Sequence, residues 1–198
     1  MQQVLAERGL SAAAVGAGGF YSASDNPHTA LELAAAVGAP VVVGCLAPEL
    51  VERIAAVFDG EIALCVENHW DQLGRPEEVA DVLGRGPVLC ACLDTGHALL
   101  AGERPEDFAR RLGPSLRHVH LKDARLPTLR ERLLGQRARR RLLPRPEPVF
   151  PGCGALDVRR LRAALADCGF DGCVTLEHEG PDAAAALAEL RRLWASSG

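Results

Sequence analysis

Short apolar segments alternate with amphipathic segments along most of the chain. Each apolar segment is six to eight residues long and bounded by turn-forming residues, which is typical of buried strands. They predict six strands, at 11–17, 40–45, 61–67, 87–94, 116–123 and 173–179. The segments between them repeat apolar residues at helical spacing and predict helices at 28–37, 48–58, 76–83, 105–112, 157–168 and 182–195. This alternation favours a parallel α/β sheet, either doubly wound or closed as a (β/α) barrel.

Two segments stand out from the alternation. The glycine-rich segment 16–19 is interpreted as a turn at a strand end, because no G-x-G-x-x-G phosphate-binding pattern follows a strand. Residues 124–155 form a long loop rich in arginine and proline, and loops of this length are usually functional or mobile. Within it, residues 125–145 hold eight arginines and one glutamate. Clustered arginines can bind phosphates, so a nucleic-acid partner stays an alternative to a solvated or subunit-contacting loop.

Length and composition indicate an ordinary globular protein. The 198 residues are enough for one domain with a sizeable core, and we expect a single domain over residues 1–198. Hydrophobic residues make up 48% and charged residues 24%, which excludes a disordered or collagen-like chain. The longest uncharged apolar stretch, 33–48, is short for a membrane span, and the first ten residues lack the apolar core of a signal peptide. The net charge of −4 gives no indication of a nucleic-acid partner.

The cysteine pattern predicts a reducing environment. The seven cysteines are an odd number and show no spacing typical of a disulfide framework. Most of them lie in or beside apolar segments, where a free cysteine behaves as a small hydrophobic residue. We therefore expect a cytoplasmic location. Cys90 and Cys92 form a C-x-C pattern, which alone is weak evidence for a metal site.

Four predicted strands end in residues that can bind a metal ion. These are Glu67, Asp94, His120 and Glu177. In a parallel barrel the carboxyl ends of the strands converge on one face, where active sites form. Three carboxylates and one imidazole suit one divalent ion such as Mn²⁺, Mg²⁺, Co²⁺ or Zn²⁺. A single carboxylate at a strand end is commonly a helix cap, but four in succession are hard to explain in that way.

Strand alternation supports the same arrangement. If the four residues face the barrel axis, residues two positions earlier do so as well. Those residues are small or polar: Cys65, Cys92, His118 and Thr175. The residues that would face outward are all aliphatic, which suits packing against helices: Leu64, Val66, Leu93, Val119, Leu121, Val174 and Leu176. His118 is expected either as a core histidine or as a hydrogen-bond partner of the metal ligands.

Several motifs resemble one enzyme superfamily. They are VENHW, CLDTGHALLAG, LRHVHLKD, PGCGALD and GFDGCVTLEHEG. In this order they are similar to the xylose isomerase-like (β/α)₈ TIM-barrel superfamily, over roughly residues 10–197. The superfamily comprises sugar isomerases and epimerases, inosose dehydratase-like proteins and endonuclease IV-type enzymes.

The resemblance implies a metal-dependent sugar or polyol isomerase or epimerase. It implies that Glu67, Asp94, His120 and Glu177 bind one divalent metal ion and that the two glutamates are the acid/base pair. A metal-bound carbonyl acidifies the neighbouring C–H bond, so that one glutamate could remove a proton and the other return one. The expected substrate is a small sugar, polyol or sugar phosphate.

Residues near these ligands are candidates for binding substrate. They are His97, His69, Trp70, Lys122 and Arg125. His97 would hold a substrate oxygen or a second metal ion, the alternative being a histidine that merely starts a helix. Trp70, with Phe20 and Tyr21, falls in a predicted strand-end loop, where an aromatic ring could pack on a sugar. Lys122 would touch substrate or form a plain salt bridge with Asp123.

The chain departs from the family pattern in two ways. Endonuclease IV-type members carry an Asp-x-His before the G-x-G turn and histidines on two earlier strands. Here PEPVFPG precedes the turn and His28 is the single histidine before Glu67, which disfavours a three-zinc DNA-repair site. An endonuclease IV-like phosphodiesterase that binds DNA through Arg137–Arg141 is therefore the weaker alternative.

The second departure is the number of strand–helix units. The sequence predicts six units where the family barrel has eight, and the first two units are the ones that are missing. A closed barrel needs matched strand number and stagger, so the first and last strands would be open edges. We therefore expect an N-terminally incomplete barrel that forms a homo-oligomer or needs a partner. The main alternative to an enzyme is a non-catalytic barrel fragment or binding protein.

Overall fold

The computed structural model describes residues 1–22, 24–58, 60–126, 148–178 and 182–195. The main sheet has six strands: β1 (Val15–Phe20), β2 (Val41–Leu46), β3 (Ala63–Glu67), β4 (Leu89–Asp94), β5 (Leu116–Leu121) and β8 (Cys173–Leu176). Two short strands, β6 (Asp123–Ala124) and β7 (Pro148–Val149), form a separate antiparallel pair. The helices are α1 (Gln2–Ala6), α2 (Pro27–Val37), α3 (Val51–Ala55), α4 (Pro76–Leu83), α5 (Thr95–Ala101), α6 (Pro105–Leu112), α7 (Val158–Asp167) and α8 (Ala183–Ala195).

The six strands form a curled half-barrel. Their order in the sheet is β1-β2-β3-β4-β5-β8, and every neighbouring pair is parallel. Helices lie between successive strands, as in a (β/α) barrel. β1 and β8 are the outer strands of this sheet. The expectation of an incomplete TIM barrel with six parallel strands is confirmed. No helix in the described parts of the chain is long and apolar enough to cross a membrane.

The two faces of the sheet differ as the strand alternation predicts. Aliphatic side chains on the outer face share one buried cluster with residues of the helices: Leu64, Val66, Leu93, Val119 and Leu121 with Val79, Phe108 and Leu161. A second, smaller cluster lies on the inner face and consists of Val41, Val43, Cys65, Cys90 and Cys92. Small inner residues leave room for polar side chains at the carboxyl ends of the strands.

Local capping interactions fix where several helices begin and end. Asn26 Oδ1 accepts the His28 N–H at 3.1 Å and starts α2, which ends at Gly38 in the left-handed conformation (φ 72°). Asp157 Oδ1 accepts the Arg160 N–H at 3.0 Å and starts α7. Asparagine and aspartate are among the residues preferred at this position, because their side-chain oxygens accept an N–H group of the first helical turn.

The predicted secondary structure differs from the observed one in several places. Residues 16–19 belong to β1, and the predicted turn is a register shift between Gly16 and Gly19 with Gly18 in the left-handed region (φ 70°). Glycine permits this irregularity inside a strand. The strand therefore continues through the glycines to Phe20, whereas its apolar pattern predicted a strand at 11–17. The sequence also gave no indication of α5, because its seven residues are too few for a clear helical repeat.

A buried aspartate closes the long segment 124–155. The Asp123 carboxylate is buried after β5 and accepts four backbone N–H groups at 2.8–3.0 Å. The donors are Ala124, Gly152, Gly154 and Leu156. The end of the segment is thereby tied back to the sheet, close to the carboxyl ends of the strands. The arginine cluster that we singled out within it lies largely in residues 127–147, outside the described residues.

Candidate metal centre

The carboxyl ends of four neighbouring strands carry the four predicted ligands. Glu67 and Asp94 are the last residues of β3 and β4, His120 is the penultimate residue of β5, and Glu177 directly follows β8. Asp94 lies opposite His120 in the sheet. The Glu177 N–H continues the pairing by donating to the Leu121 carbonyl at 3.1 Å. The strand predicted at 173–179 is observed as Cys173–Leu176, and Glu177 directly follows it.

The structure brings these four side chains together. One potential ligand atom from each of Glu67, Asp94, His120 and Glu177 lies within 4.8 Å of the others. His120 Nδ1 is 2.7 Å from Glu67 Oε1 and 3.4 Å from Glu177 Oε2, so the two glutamates flank the same ring nitrogen. Burial favours the neutral imidazole, but the hydrogen bond and charge of Glu67 outweigh it and raise the pKa of His120.

Asp94 is the most buried member of the group. Its side chain is 0% exposed. Oδ1 accepts the His97 N–H at 2.7 Å and caps α5, whereas Oδ2 has no hydrogen-bond partner among the described residues. Burial raises the pKa of Asp94 to about 7, against the opposing charge of Lys122. Burying a carboxylate oxygen without a hydrogen bond costs folding free energy unless a cation or a hydrogen-bond donor lies beside it.

Lys122 supplies positive charge at the centre. Its Nζ is 2.7 Å from Glu177 Oε1 and 3.7 Å from Asp94 Oδ2. The stem of the side chain passes over Gly96, where a Cβ atom would lie 2.8 Å from Lys122 Cγ. The alternative of an exposed Lys122–Asp123 salt bridge is wrong, because Asp123 is buried and its oxygens are taken by backbone N–H groups.

Two further histidines and a tryptophan lie beside the ligands. The rings of His69 and His97 are 4.1 Å apart, and those of His69 and Trp70 are 5.8 Å apart. His69 Nδ1 is hydrogen-bonded to Asp71 Oδ1. Burial, with the nearby charges of His69 and Lys122, lowers the pKa of His97 to about 3. His97 Nε2 is 3.8 Å from Asp94 Oδ2, so a neutral ring faces the centre.

The predicted loop aromatics Phe20 and Tyr21 occupy different environments. Phe20 is the last residue of β1 and is buried in the core, so it is not available for a ligand. Tyr21 is 55% exposed and its ring lies against Gly19.

A cysteine holds the second oxygen of Glu67. Cys45 Sγ donates to Glu67 Oε2 at 3.6 Å. Burial and the charge of Glu67 raise the pKa of Cys45 to about 12, which keeps it a thiol that can donate.

His118 lies in the layer beneath the ligands. It is 1% exposed, its Nε2 is 3.1 Å from Thr175 Oγ1, and its ring meets that of His120 edge to face at 5.1 Å. Burial and the nearby His120 lower the pKa of His118 to about 4. The structure favours the core histidine, because the hydrogen bond of His118 goes to Thr175 and its contact with the ligand His120 is between the two rings.

Two supporting residues were missed in the sequence. Asn68 is fully buried, and its amide forms hydrogen bonds with both the N–H and the carbonyl of Asp94, at 2.8 and 3.1 Å. Thr95 is also fully buried; its Oγ1 donates to the Lys122 carbonyl at 2.6 Å and accepts the Lys122 N–H at 2.9 Å. The sequence feature that could have identified them is their position directly after the predicted ligands Glu67 and Asp94. Both hold one strand end against the next.

The residues present fit a divalent cation. Three carboxylates face a single ammonium group, so that a divalent charge would balance the remainder. The buried Asp94 Oδ2, which has no hydrogen-bond partner among the described residues, is the position that most needs a cation. Oxygen ligands with one imidazole suit Mg²⁺, Mn²⁺, Co²⁺ or Zn²⁺.

The contribution of Arg125 stays a prediction. It follows β6, and its side chain is exposed. The other predicted substrate-contact residues are all half-buried: His69, Trp70, His97 and Lys122.

Comparisons with known proteins agree with this architecture. The inosose dehydratase of Bacillus licheniformis is 30% identical over 135 residues, which cover 63% of this chain and 45% of that protein. This chain thus spans less than half the length of that curated relative. A solved D-tagatose 3-epimerase-like protein has a TM-score of 0.72 at 16% identity, covering 99% of this chain and 81% of the other.

A second solved structure is a xylose isomerase-like TIM barrel protein from Mycobacterium smegmatis in complex with magnesium. Its TM-score is 0.71 at 18% identity, and the match covers 99% of this chain and 77% of the other. The family model described as xylose isomerase-like TIM barrel matches residues 21–196. The chain therefore belongs to the xylose isomerase-like TIM barrel family.

Proposed function

We propose that this protein is a divalent-metal-dependent isomerase or epimerase. Its substrate would be a small sugar, polyol or sugar phosphate with a carbonyl group beside a hydroxyl-bearing carbon. The observation that carries the proposal is the position of Glu67 and Glu177, 2.7 and 3.4 Å from the same nitrogen of His120. Two carboxylates around one centre are suited to removing a proton and returning one.

The metal site would consist of Glu67, Asp94, His120 and Glu177. A divalent ion bound there would polarise the substrate carbonyl and acidify the adjacent C–H bond. Asn68 holds the backbone of Asp94, and His118 packs edge-on against His120, so these ligands are oriented before substrate arrives.

The proton transfer falls to the two glutamates. Glu67 is held on both oxygens, by His120 and Cys45, and would take the proton from the carbon next to the carbonyl. Glu177, paired with Lys122, would return a proton on the opposite face. Return to the same carbon gives an epimer, and return to the neighbouring carbon gives an isomer.

The remaining residues would bind and orient the substrate. His97 is neutral because its pKa is lowered to about 3, so its ring can donate one hydrogen bond to a substrate oxygen without adding charge. Lys122 would donate to a second oxygen from its position beside Glu177. Trp70 and the exposed ring of Tyr21 offer apolar faces for the carbon skeleton.

Dehydration is a second candidate reaction. It begins with the same removal of a proton next to a carbonyl, and the Bacillus licheniformis relative is an inosose dehydratase. The Lys122 ammonium group would then protonate the departing hydroxyl. The position of its Nζ, between Asp94 and Glu177, favours this candidate.

Deuterium exchange distinguishes these reactions. The protein is loaded with Mn²⁺ and incubated in D₂O with a panel of ketoses, inososes and sugar phosphates, and products are identified by NMR. We expect deuterium at the carbon next to the carbonyl, together with an epimer or isomer. An unsaturated product without an epimer would favour the dehydratase. Glu67→Gln and Glu177→Gln should each lower the exchange rate by about 100-fold or more.

Glu32→Gln is the matched control, because Glu32 is an exposed carboxylate on α2. It should leave exchange unchanged. Bound Mn²⁺ without exchange on any substrate would contradict the proposal and favour a non-catalytic binding protein. DNA binding with a steep salt dependence, lost on replacing Arg137–Arg141, would instead favour the phosphodiesterase. Those arginines lie outside the described residues.

A further inference from the structure

The stagger of the sheet places a cysteine directly beside a proposed metal ligand. In the pairing of β3 with β4, Glu67 lies opposite Cys92, two residues before Asp94. In the pairing of β4 with β5, Asp94 lies opposite His120. Cys92 belongs to the inner-face cluster, so its side chain points to the same side of the sheet as Glu67. Cys92 thus lies one layer beneath Asp94, under the ligands.

Cys92 forms a second candidate ligand set with two of these ligands. Its sulfur, a carboxylate oxygen of Glu67 and a ring nitrogen of His120 all lie within 4.8 Å of one another. Cys92 is a free thiol and is fully buried. Asp94 Oδ2, which is also buried and has no hydrogen-bond partner among the described residues, independently indicates a cation at the same centre.

We propose that Glu67, Cys92 and His120 form a thiolate-containing site that binds Zn²⁺ in preference to Mn²⁺ or Mg²⁺. Sulfur, nitrogen and carboxylate oxygen together are ligands that Zn²⁺ accepts, and three of them leave a fourth position open. Mn²⁺ and Mg²⁺ prefer oxygen and would use the carboxylates of Asp94 and Glu177. The same centre thereby has two coordination modes, selected by the ion.

Binding in this mode involves no change of oxidation state. A bond forms between the metal and the Cys92 sulfur as the S–H bond breaks, and the proton passes to the buffer. The inference rests on the proposed metal-dependent function, because both ligand sets contain Glu67 and His120. Zn²⁺ and Mn²⁺ should therefore compete for one site.

Co²⁺ is the probe that tests the inference, because a thiolate ligand produces a charge-transfer band in the near ultraviolet. The metal-free protein is titrated with Co²⁺ and its absorption recorded. We expect the band to saturate at one Co²⁺ per chain and to be lost in Cys92→Ser. Competition with Mn²⁺ should show that Cys92→Ser lowers the preference for Zn²⁺ by about tenfold or more.

Two neighbouring cysteines provide matched controls. Cys90 lies on the same face of β4, one layer deeper, and Cys45 donates to the other oxygen of Glu67. Cys90→Ser and Cys45→Ser should both retain the band. Loss of the band in either variant but not in Cys92→Ser would overturn the assignment.

The spectra also separate this inference from the proposed function. Bound Co²⁺ and Mn²⁺ without any thiolate band would overturn the thiolate site and leave the oxygen-rich site standing. Failure to bind any divalent ion would overturn both. X-ray absorption at the zinc edge of the unaltered protein needs no variant: one sulfur ligand supports the site, and a shell of oxygen and nitrogen alone contradicts it.

Discussion

The side-chain amide of Asn68 forms both backbone hydrogen bonds of Asp94, accepting its N–H at 2.8 Å and donating to its carbonyl at 3.1 Å. Asn68 thereby continues the pairing of β3 with β4 beyond the end of β3. Asp94 is a proposed metal ligand and also caps α5. The two hydrogen bonds from Asn68 therefore fix the backbone from which the Asp94 carboxylate extends. We infer that Asn68 positions the metal site without touching the ion.

Asn68→Ala should therefore weaken metal binding. The substitution removes both hydrogen bonds that Asn68 forms with the buried Asp94 backbone, and we expect Mn²⁺ affinity to fall by about 10-fold to 100-fold. Isothermal titration measures the affinity, and urea unfolding should show a loss of about 1–3 kcal/mol. Asn68→Asp keeps the acceptor but sets a carboxylate oxygen against the Asp94 carbonyl, so it should also weaken Mn²⁺ binding. Unchanged Mn²⁺ affinity in a destabilised Asn68→Ala would show that Asn68 is merely structural.

Gly96→Ala tests the placement of Lys122. A Cβ atom at this position would lie 2.8 Å from Lys122 Cγ and 2.9 Å from Cδ, so the lysine stem must move off the helix. We expect the Lys122–Glu177 contact to break and kcat/KM for the reaction to fall by about tenfold or more. Mn²⁺ affinity should change little, because the four ligands keep their positions.

The matched control is Gly84→Ala at the end of α4. Its backbone is right-handed (φ −63°), and its nearest contact to an added Cβ is an ordinary 3.5 Å. It should leave kcat/KM and Mn²⁺ affinity unchanged. A Gly96→Ala protein with full activity would show that the position of Lys122 is unimportant for the reaction.

Asp123→Asn should destabilise the fold strongly. The Asp123 carboxylate accepts four backbone N–H groups, and an amide would turn one of its own N–H groups toward these donors. We expect a loss of about 3 kcal/mol in the free energy of unfolding, measured by urea denaturation. Asp171→Asn is the control, since its side chain is 80% exposed and reaches Arg117 only at 3.5 Å. It should cost less than about 0.5 kcal/mol. Similar losses in both variants would contradict the proposed role of Asp123.

The sequence predicted the ligand-bearing strand ends because two independent patterns agreed. Strand alternation and the convergence of parallel strands both placed Glu67, Asp94, His120 and Glu177 on one inner edge, and the structure brings them together. Asn68 could not be identified in this way, because a polar residue just after a strand has the same local pattern as a solvated loop residue.

Contacts between distant segments account for most of what was missed. Asp123 reaches N–H groups that lie up to 33 residues away in the chain, and local patterns do not encode such a contact. The end of β1 was misplaced because its glycines lack side chains that would mark one face of a strand. Cys92 was expected to face the barrel axis and to form a C-x-C pattern with Cys90. Its closeness to Glu67 was missed, because that depends on the stagger between β3 and β4.

Removal of divalent ions should lower the stability of the protein. Without an ion, the three close carboxylates of Glu67, Asp94 and Glu177 are compensated by the charge of Lys122 and by a few hydrogen bonds. A ligand that binds only the folded state at 100 times its Kd adds about 2.7 kcal/mol, so Mn²⁺ should raise the Tm of EDTA-treated protein by several degrees. Glu177→Gln should reduce this gain at the same Mn²⁺ concentration, and Glu32→Gln should retain it. Loss of a metal ligand weakens Mn²⁺ binding and therefore reduces the stabilisation that Mn²⁺ gives to the folded protein. If Mn²⁺ raised the Tm of Glu177→Gln as much as that of the unaltered protein, the ion would bind at a different site.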